Sequence, residues 1–362
     1  MRSRVHRALG AALVSALLLG GGLSACSSDL TPGVALTRLR LLGVRLEVEA
    51  EPERASPAPG ERVRVRPRLV APRAMPPYGY LILACARRPI PTGADACAAP
   101  PFFLASGFHE AAEGLEVAFD VPADSDPSRG LLLAGAFCER GELDIADGAP
   151  GSPVEANGPS PADAEAVAAA DVLGNIRCRS VGEAESPEAP APPPSPQLWV
   201  LPVRLAGAEV PVGRHPAVPD DWLLLGEAPW PRTDFDEAAA TEPCAERTEL
   251  FEAGVRAWSV AEAGNPEIAF NYPAELRAAL TPEERVVVSV AHFSNFGRLD
   301  RQFTVFADTE AADVPFDFNS TRGPNEEERL AAAGSIFVRF EFALRDPFGG
   351  FSWDTRALCL SP

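Results

Sequence analysis

Hydrophobic and polar residues alternate with a period of two along several short stretches of the chain. Residues 45–49 and residues 62–66 both follow this pattern, with leucine or valine at the apolar positions. Such alternation is typical of β-strands that bury one face. Prolines and a glycine between the two stretches predict a turn over residues 52–61. Three further strands, each bounded by Pro, Gly or Asp, are predicted at residues 80–85, 115–121 and 131–138.

The same pattern continues in the second half of the sequence. Strands are predicted at residues 198–205, 285–293, 302–306 and 335–344. One face of the last strand carries four apolar side chains, Val338, Phe340, Phe342 and Leu344. A Gly-Gly turn at residues 349–350 then leads into another alternating strand that ends near Cys359. Two short helices are predicted, at residues 161–173 and 273–285. The sequence therefore predicts an all-β fold with one or two short helices.

A proline-rich segment, AESPEAPAPPPSP at residues 184–196, separates the two sets of strands. Its composition cannot build a core, and consecutive prolines favour an extended spacer or surface loop. We therefore predict one domain at residues 36–183, a linker or loop at 184–197 and a second domain at 198–362. The strand at 198–205 could close the first domain or open the second, so the boundary stays open between residues 184 and 206.

The amino-terminal residues form a basic and then an apolar segment. Arg2, Arg4 and Arg7 precede an apolar run that is shorter than the roughly 20 residues of a membrane-spanning helix. The run ends in Leu23-Ser24-Ala25-Cys26, which resembles the lipobox of bacterial lipoproteins. The resemblance implies that residues 1–25 are a cleaved signal peptide and that Cys26 carries acyl chains. An ordinary secretory signal and an uncleaved anchor are the alternatives.

Residues 26–35 then form a short tether. The residue after the cysteine is Ser27 rather than aspartate, which favours transport to an outer membrane if enterobacterial sorting applies. We therefore expect a lipid-anchored protein of the cell envelope, on the periplasmic or the surface face of that membrane.

Two turn motifs resemble those of bacterial Ig-like and PKD-like modules. The Arg-Asp-x-x-Gly-Gly sequence at residues 345–350, between two predicted strands, is similar to their final hairpin. Pro52 followed by Pro59-Gly60-Glu61 is similar to their first hairpin. Together with the lipobox, this arrangement resembles bacterial lipoproteins that contain two such modules. The resemblance implies two Ig-like β-sandwiches joined by the proline-rich segment, and it carries no established activity.

Seven cysteines are present, and six remain if Cys26 carries lipid. An even number in an exported chain predicts disulfides, and six cysteines allow 15 connectivities. The preferred set keeps each pair inside one proposed domain: Cys85–Cys97, Cys138–Cys178 and Cys244–Cys359. This pairing would leave no thiol for nucleophilic catalysis.

The chain is acidic, with 51 Asp and Glu against 32 Lys and Arg and a formal net charge of −19. Residues 1–25 contain three arginines and no acids, so their removal would make the charge −22. Such a protein repels nucleic acid and anionic lipid surfaces. We therefore expect no nucleic-acid partner, and attachment to a membrane through the acyl chains on Cys26 alone.

No motif in the sequence indicates catalysis. His109, His215 and His292 stand apart from one another, without the spacing of a metal site, and the Gly-x-Ser-x-Gly motif of serine hydrolases is absent. We expect no metal and no cofactor. Three acidic clusters could supply oxygen ligands to Ca²⁺, but we interpret them as solvated turn carboxylates. They are Asp120, Asp124 and Asp126; Asp144 and Asp147; and Asp234, Asp236 and Glu237.

These observations predict a structural, adhesive or binding role in the cell envelope, without catalysis, through contact with an envelope protein or a polysaccharide. Trp222, Trp230 and Trp258 lie in a loop-like region, where they could fill a sandwich core or form an exposed platform for carbohydrate. A carbohydrate-binding module is therefore one alternative function. A hydrolase with two facing carboxylates in a cleft is another.

Overall fold

The computed structural model describes thirteen ranges and one single residue between residues 36 and 362. They are residues 36, 38–72, 74–89, 95–110, 114–145, 176–180, 195–207, 212–233, 243–271, 288–299, 303–305, 311–317, 326–346 and 348–362. Residues 34–362 form one compact unit. The predicted signal peptide and tether, the two predicted helices and residues 184–194 of the proline-rich segment lie outside the described residues.

The predicted all-β class is confirmed. In the first half, the described strands are β1 (Arg40–Val48), β2 (Arg62–Val70), β3 (Tyr78–Pro89), β4 (Asp95–Cys97), β5 (Phe103–His109), β6 (Val117–Asp120), β7 (Leu131–Glu139), β8 (Gly141–Ile145), β9 (Ile176–Ser180) and β10 (Gln197–Val203). They form an antiparallel sheet in the order β1-β2-β6 and a second sheet in the order β10-β7-β3, with β4 and β5 both paired to β3. β8 and β9 pair with each other.

The two larger sheets of the first half pack face to face. The alternation in β2 explains why, because Val63 and Val65 point inward and are fully buried, whereas the intervening arginines face outward. Val44 and Leu46 of β1 and Leu133 of β7 join the same core. β10 pairs with β7 along its whole length. The strand that the sequence could assign to either domain therefore belongs to the first set of sheets.

In the second half, the described strands are β11 (Leu223–Leu225), β12 (Ala228–Pro229), β13 (Arg256–Ser259), β14 (Glu267–Asn271), β15 (Ser289–Ser294), β16 (Arg298–Leu299), β17 (Phe303–Val305), β18 (Ala311–Asp317), β19 (Ile336–Arg345) and β20 (Phe351–Ser361). Helices α1 (Thr248–Glu252), α2 (Val260–Ala263) and α3 (Glu326–Ala333) and a 3₁₀ turn (Cys244–Glu246) accompany them. One sheet has the order β12-β11-β14-β18-β16 and the other β13-β20-β19-β15-β17, with β13 parallel to β20.

β19 is buried on both faces. Its apolar face, with Phe340 and Phe342, packs in the core between the two sheets of the second half. Its other face contacts the first half, where Ala343 of β19, together with Phe351 of β20, packs against Leu42 of β1. We call this contact between the two halves the seam. The Ig-like assignment of the two sets of sheets stays a prediction.

Candidate functional site

Six cysteines form three disulfides in the structure: Cys85–Cys97, Cys138–Cys178 and Cys244–Cys359, with Cα–Cα distances of 5.5, 5.6 and 5.8 Å. These are the three preferred pairs, so the predicted connectivity is confirmed. Disulfides persist in oxidising compartments, which indicates an extracytoplasmic location. No helix among the described residues is long and apolar enough to cross a membrane. Cys26 lies outside the described residues, so its acylation stays a prediction.

The alternative of a tryptophan platform is wrong for two of its three residues. Trp222 and Trp230 are 1% and 0% exposed and fill the core of the second half, where their rings meet Phe342 edge-on. Burial of large aromatic area in the core outweighs exposure of the rings. Trp258 is half-buried against the same core, and its indole N–H donates to the carbonyl oxygen of Gly264 at 2.8 Å. The three rings therefore form no exposed row.

The buried acids of the second half are paired with arginines rather than with other acids. The Asp354 carboxylate accepts hydrogen bonds from Arg356 at 2.6 Å and from the Trp222 indole at 2.5 Å. Burial raises the pKa of Asp354, although Arg356 opposes this shift. Glu341 accepts hydrogen bonds from Arg68 at 3.1 Å. Within the described residues, the charged partners of both acids at salt-bridge distance are therefore arginines.

Three of the four histidines lie within the described residues, and they lie in separate places. His215 lies in the seam and His292 in the core of the second half, where its ring stacks on Phe270 with centroids 5.1 Å apart. His109 ends β5 and contacts Tyr78, with ring centroids 5.2 Å apart. In the part of the chain that the structure describes, no three His, Cys, Asp or Glu side chains come together as a metal site.

The acidic cluster at residues 120–126 has ordinary protein partners. Asp120 pairs with Arg62 across the β2–β6 ladder at 3.2 Å. Asp126 accepts hydrogen bonds from the hydroxyl and the backbone N–H of Ser128 at 2.7 and 2.9 Å, and both bonds lower its pKa. These contacts fit the interpretation as turn carboxylates. The side chains of the clusters at residues 144–147 and 234–237 lie outside the description.

A groove lies between β1, β10 and the turn that joins β19 to β20. Its walls are mainly apolar: Leu41, Val44, Trp199, Leu201 and Phe351. Its volume is about 160 Å³, and an apolar cavity of about 150 Å³ accepts one benzene-sized group. The groove is therefore large enough for a single apolar side chain of a ligand. We name it the β1–β10 groove.

Two charged residues, Arg345 and Asp346, also line the groove. The Asp346 carboxylate accepts hydrogen bonds from the backbone N–H groups of Gly350 at 2.6 Å and Phe348 at 2.9 Å. Burial raises the pKa of Asp346, although these two bonds act in the opposite direction. The Arg345 guanidinium donates to the carbonyl oxygen of Leu42. Asp346 is bonded within its own turn, whereas the bond to Leu42 uses only one of the N–H groups of Arg345, so Arg345 keeps donors for a ligand.

The groove combines elements that are far apart in the sequence. Trp199 and Leu201 belong to the predicted strand at residues 198–205, and Arg345 and Asp346 to the predicted final hairpin. The sequence singled out both segments but gave no signal that they adjoin, because neither contains a ligand-binding motif. The one available signal is the uncharged sequence of β10, which is unusual for a strand at the edge of a sheet.

Comparison with known proteins gives no match to a family model and no match to a curated protein. The functional argument therefore depends on the residues and their geometry alone.

Proposed function

We propose that this protein is a lipid-anchored binding or structural protein of the bacterial cell envelope, held to the membrane, and most simply to the outer membrane, by acyl chains on Cys26. Disulfides keep its two sets of sheets intact in an oxidising compartment, and the β1–β10 groove supplies a surface for a partner. Its role in this proposal is contact rather than catalysis.

The use of the cysteines is the observation that carries the proposal. The three disulfides consume six of the seven cysteines. The seventh, Cys26, stands at the end of the lipobox-like sequence Leu23-Ser24-Ala25-Cys26. Two or more acyl chains give stable membrane attachment, which the acidic surface cannot supply through anionic lipid.

Replacement of the acylated cysteine tests the anchor. We expect the Cys26→Ala precursor to lose its association with washed membranes and to lose incorporation of an alkyne-labelled fatty acid, because the thiol that accepts the diacylglyceryl group is absent. The measurements are membrane fractionation and fluorescence of the labelled band.

Ser28→Ala is the matched control, since it lies two residues away and outside the lipobox-like sequence. It should behave like the wild-type protein in both assays. If Cys26→Ala still sedimented with washed membranes, or if the wild-type protein took up no fatty acid, the proposed anchor would be wrong.

A further inference from the structure

Two strands have edges beside the β1–β10 groove, and side chains of the protein cover one of them. The backbone of β1 and the residue before it bonds to four side chains, those of Glu139, Gln197, Arg345 and His215. The Gln197 side-chain amide, for example, donates to the carbonyl oxygen of Leu39 and accepts from the backbone N–H of Leu41. A covered edge is not available to another strand.

The edge of β10 has no such cover among the described residues. β10 pairs with β7 on one side and ends its sheet on the other. Its sequence, QLWVLPV, contains no charge that would discourage strand pairing. Proline lacks an N–H, so Pro202 fits an edge strand when its nitrogen faces away from β7. Every second residue of a strand directs its backbone N–H and C=O groups to the same side, so those of Leu198 and Val200 would also face away from β7. The β10 edge therefore offers unpaired backbone groups to an incoming strand.

Apolar side chains on both faces of β10 are placed to contact an added strand. Leu198 and Val200 are 49% and 48% exposed, and they lie opposite the small residues Ala136 and Ala134 of β7. Trp199 and Leu201, whose side chains lie on the other face, line the groove, and Val200 between them also borders it. An added strand places alternate side chains on alternate faces. It would therefore contact Leu198 and Val200 with one set and enter the groove with the other.

The charges beside the groove indicate the character of the occupant. Arg345 lines the groove, and Arg204 follows β10 directly and lies 5.6 Å from the Phe348 ring in the adjoining turn. Arg345 has no ion pair within the described residues, whereas the charge of Arg204 acts on the Asp346 carboxylate and lowers its pKa. Arg345 is therefore the cation that complements a carboxylate of the occupant. A second copy of the chain would bring the same negative charge to the contact and would be repelled.

We propose that the β10 edge docks an extended segment of a partner protein, which adds a strand to the sheet, places an apolar side chain in the β1–β10 groove and sets an acidic side chain against Arg345. Main-chain hydrogen bonds would supply affinity, and the groove and the arginine would supply specificity. This inference names the partner class for the binding role proposed above and rests on that role, but not on the anchor.

A synthetic peptide tests the docking. The probe is a nine-residue peptide with valine and threonine at alternate positions, one glutamate near its end and both termini blocked, so that the carboxylate belongs to a side chain. The full chain in detergent is titrated with this peptide, and hydrogen–deuterium exchange is followed over residues 197–203. We expect binding to slow exchange in this segment. A peptide with lysine in place of glutamate should bind about tenfold more weakly, because it brings like charge to Arg345.

Matched variants assign the effect to the strand and to the arginine. Val200→Lys should weaken the glutamate peptide about tenfold or more, since it replaces an apolar contact at the edge with a charge. Phe303→Lys should leave binding unchanged, because Phe303 is also an exposed apolar residue (59% against 48% for Val200) but lies on a different edge strand, β17. Arg345→Gln keeps a donor for the Leu42 carbonyl and should abolish the preference for glutamate over lysine.

Three outcomes would overturn the inference: no change in exchange over residues 197–203, equal weakening by Val200→Lys and Phe303→Lys, or a dimer without peptide that Val200→Lys dissociates. The last outcome would make a second copy the occupant. All three are measured on purified protein, so they are independent of membrane fractionation and of acylation at Cys26.

Discussion

Trp222 and Trp230 lie in the same core and differ in one polar contact. The Trp222 indole N–H donates to the Asp354 carboxylate at 2.5 Å. The Trp230 indole N–H is buried and has no hydrogen-bond partner within the described part of the chain. Replacement by phenylalanine removes a similar ring volume at both positions. The difference in unfolding free energy between the two variants therefore reports on the indole–carboxylate hydrogen bond.

We expect Trp222→Phe to destabilise the protein by about 1–3 kcal/mol more than Trp230→Phe, because it leaves a buried carboxylate without one of its donors. Trp230→Phe removes a donor that has no partner within the described residues, so relief of that unpaired group should offset part of its packing loss. Urea unfolding followed by circular dichroism measures both changes. Equal losses would mean that the indole–carboxylate bond contributes nothing to stability.

At the scale of elements, the contact of β1 with β20 depends on a residue without a side chain. β1 has an irregular register between Leu41 and Gly43. A Cβ atom at Gly43 would lie 2.3 Å from Cε2 of the Phe351 ring on β20. The ring is buried in the seam and also lines the β1–β10 groove. Glycine at this position therefore allows the strand of one half to lie directly on the hairpin of the other.

We expect Gly43→Ala to cost about 1–3 kcal/mol of unfolding free energy, because the Phe351 ring must move within a packed seam. Gly114→Ala is the control, since a Cβ atom there would have no neighbour within 4 Å. Thermal unfolding of both variants measures the difference. If Gly43→Ala were as stable as Gly114→Ala, the contact between β1 and β20 would be looser than the structure indicates.

At the scale of the whole molecule, a neutral histidine joins the two halves across the seam. The His215 Nε2–H donates to the carbonyl oxygen of Leu46 on β1 at 2.9 Å, and Nδ1 accepts the backbone N–H of Phe351 on β20 at 3.2 Å. Burial, and then the charge of Arg45, lower the pKa of His215 to about 4. Protonation at Nδ1 would break the bond to Phe351, so only the neutral ring joins both strands.

The low pKa predicts loss of stability in acid. The unfolded chain binds a proton at His215 near pH 6.5, whereas the folded protein resists it until about pH 4. The contribution is therefore fully present above pH 6.5 and disappears as the pH falls from 6.5 to 4, by about 3 kcal/mol in total.

His215→Gln isolates this effect, because glutamine can keep both hydrogen bonds and does not titrate. Urea unfolding of wild type and variant at pH 7.5 and pH 4.5 gives the comparison. The wild type should lose more stability than the variant between the two pH values. An equal loss would show that carboxylates elsewhere, and not the seam histidine, account for the acid sensitivity.

Some features of this molecule follow from local sequence and others do not. The strands were predictable where one face is buried: β2 alternates valine with arginine, and β20 follows a Gly-Gly turn. The disulfide pairs followed from keeping partners within one set of strands. The burial of Arg339 and Glu341 was not predictable, because alternation on β19 is equally typical of a solvent-exposed face. Both are covered because the first half packs on that face, where Arg68 reaches Glu341.

The β1–β10 groove shows the same limit for the candidate site. Each of its walls comes from a segment with a recognisable strand or turn pattern, so the sequence predicts the secondary structure of each wall separately. The groove itself depends on contacts between residues far apart in sequence, such as Gln197 with Leu39, which are 158 positions apart.

Alternation, turn residues and cysteine count are local properties, so the amino-acid sequence was sufficient for the all-β class, for longer strands such as β2, β7 and β19, and for the number of disulfides. It did not predict the short strands β11, β12 and β13, which lie in the region interpreted as loop-like. Which strand edges are covered, which charged face is buried and where two tryptophans pack depend on contacts across hundreds of residues, such as Arg68 with Glu341 at a separation of 273. Such contacts leave no periodic signal in the sequence. The hydrophobic pattern of each segment predicts that segment's own strand or turn and carries no information about the distant segment that it contacts.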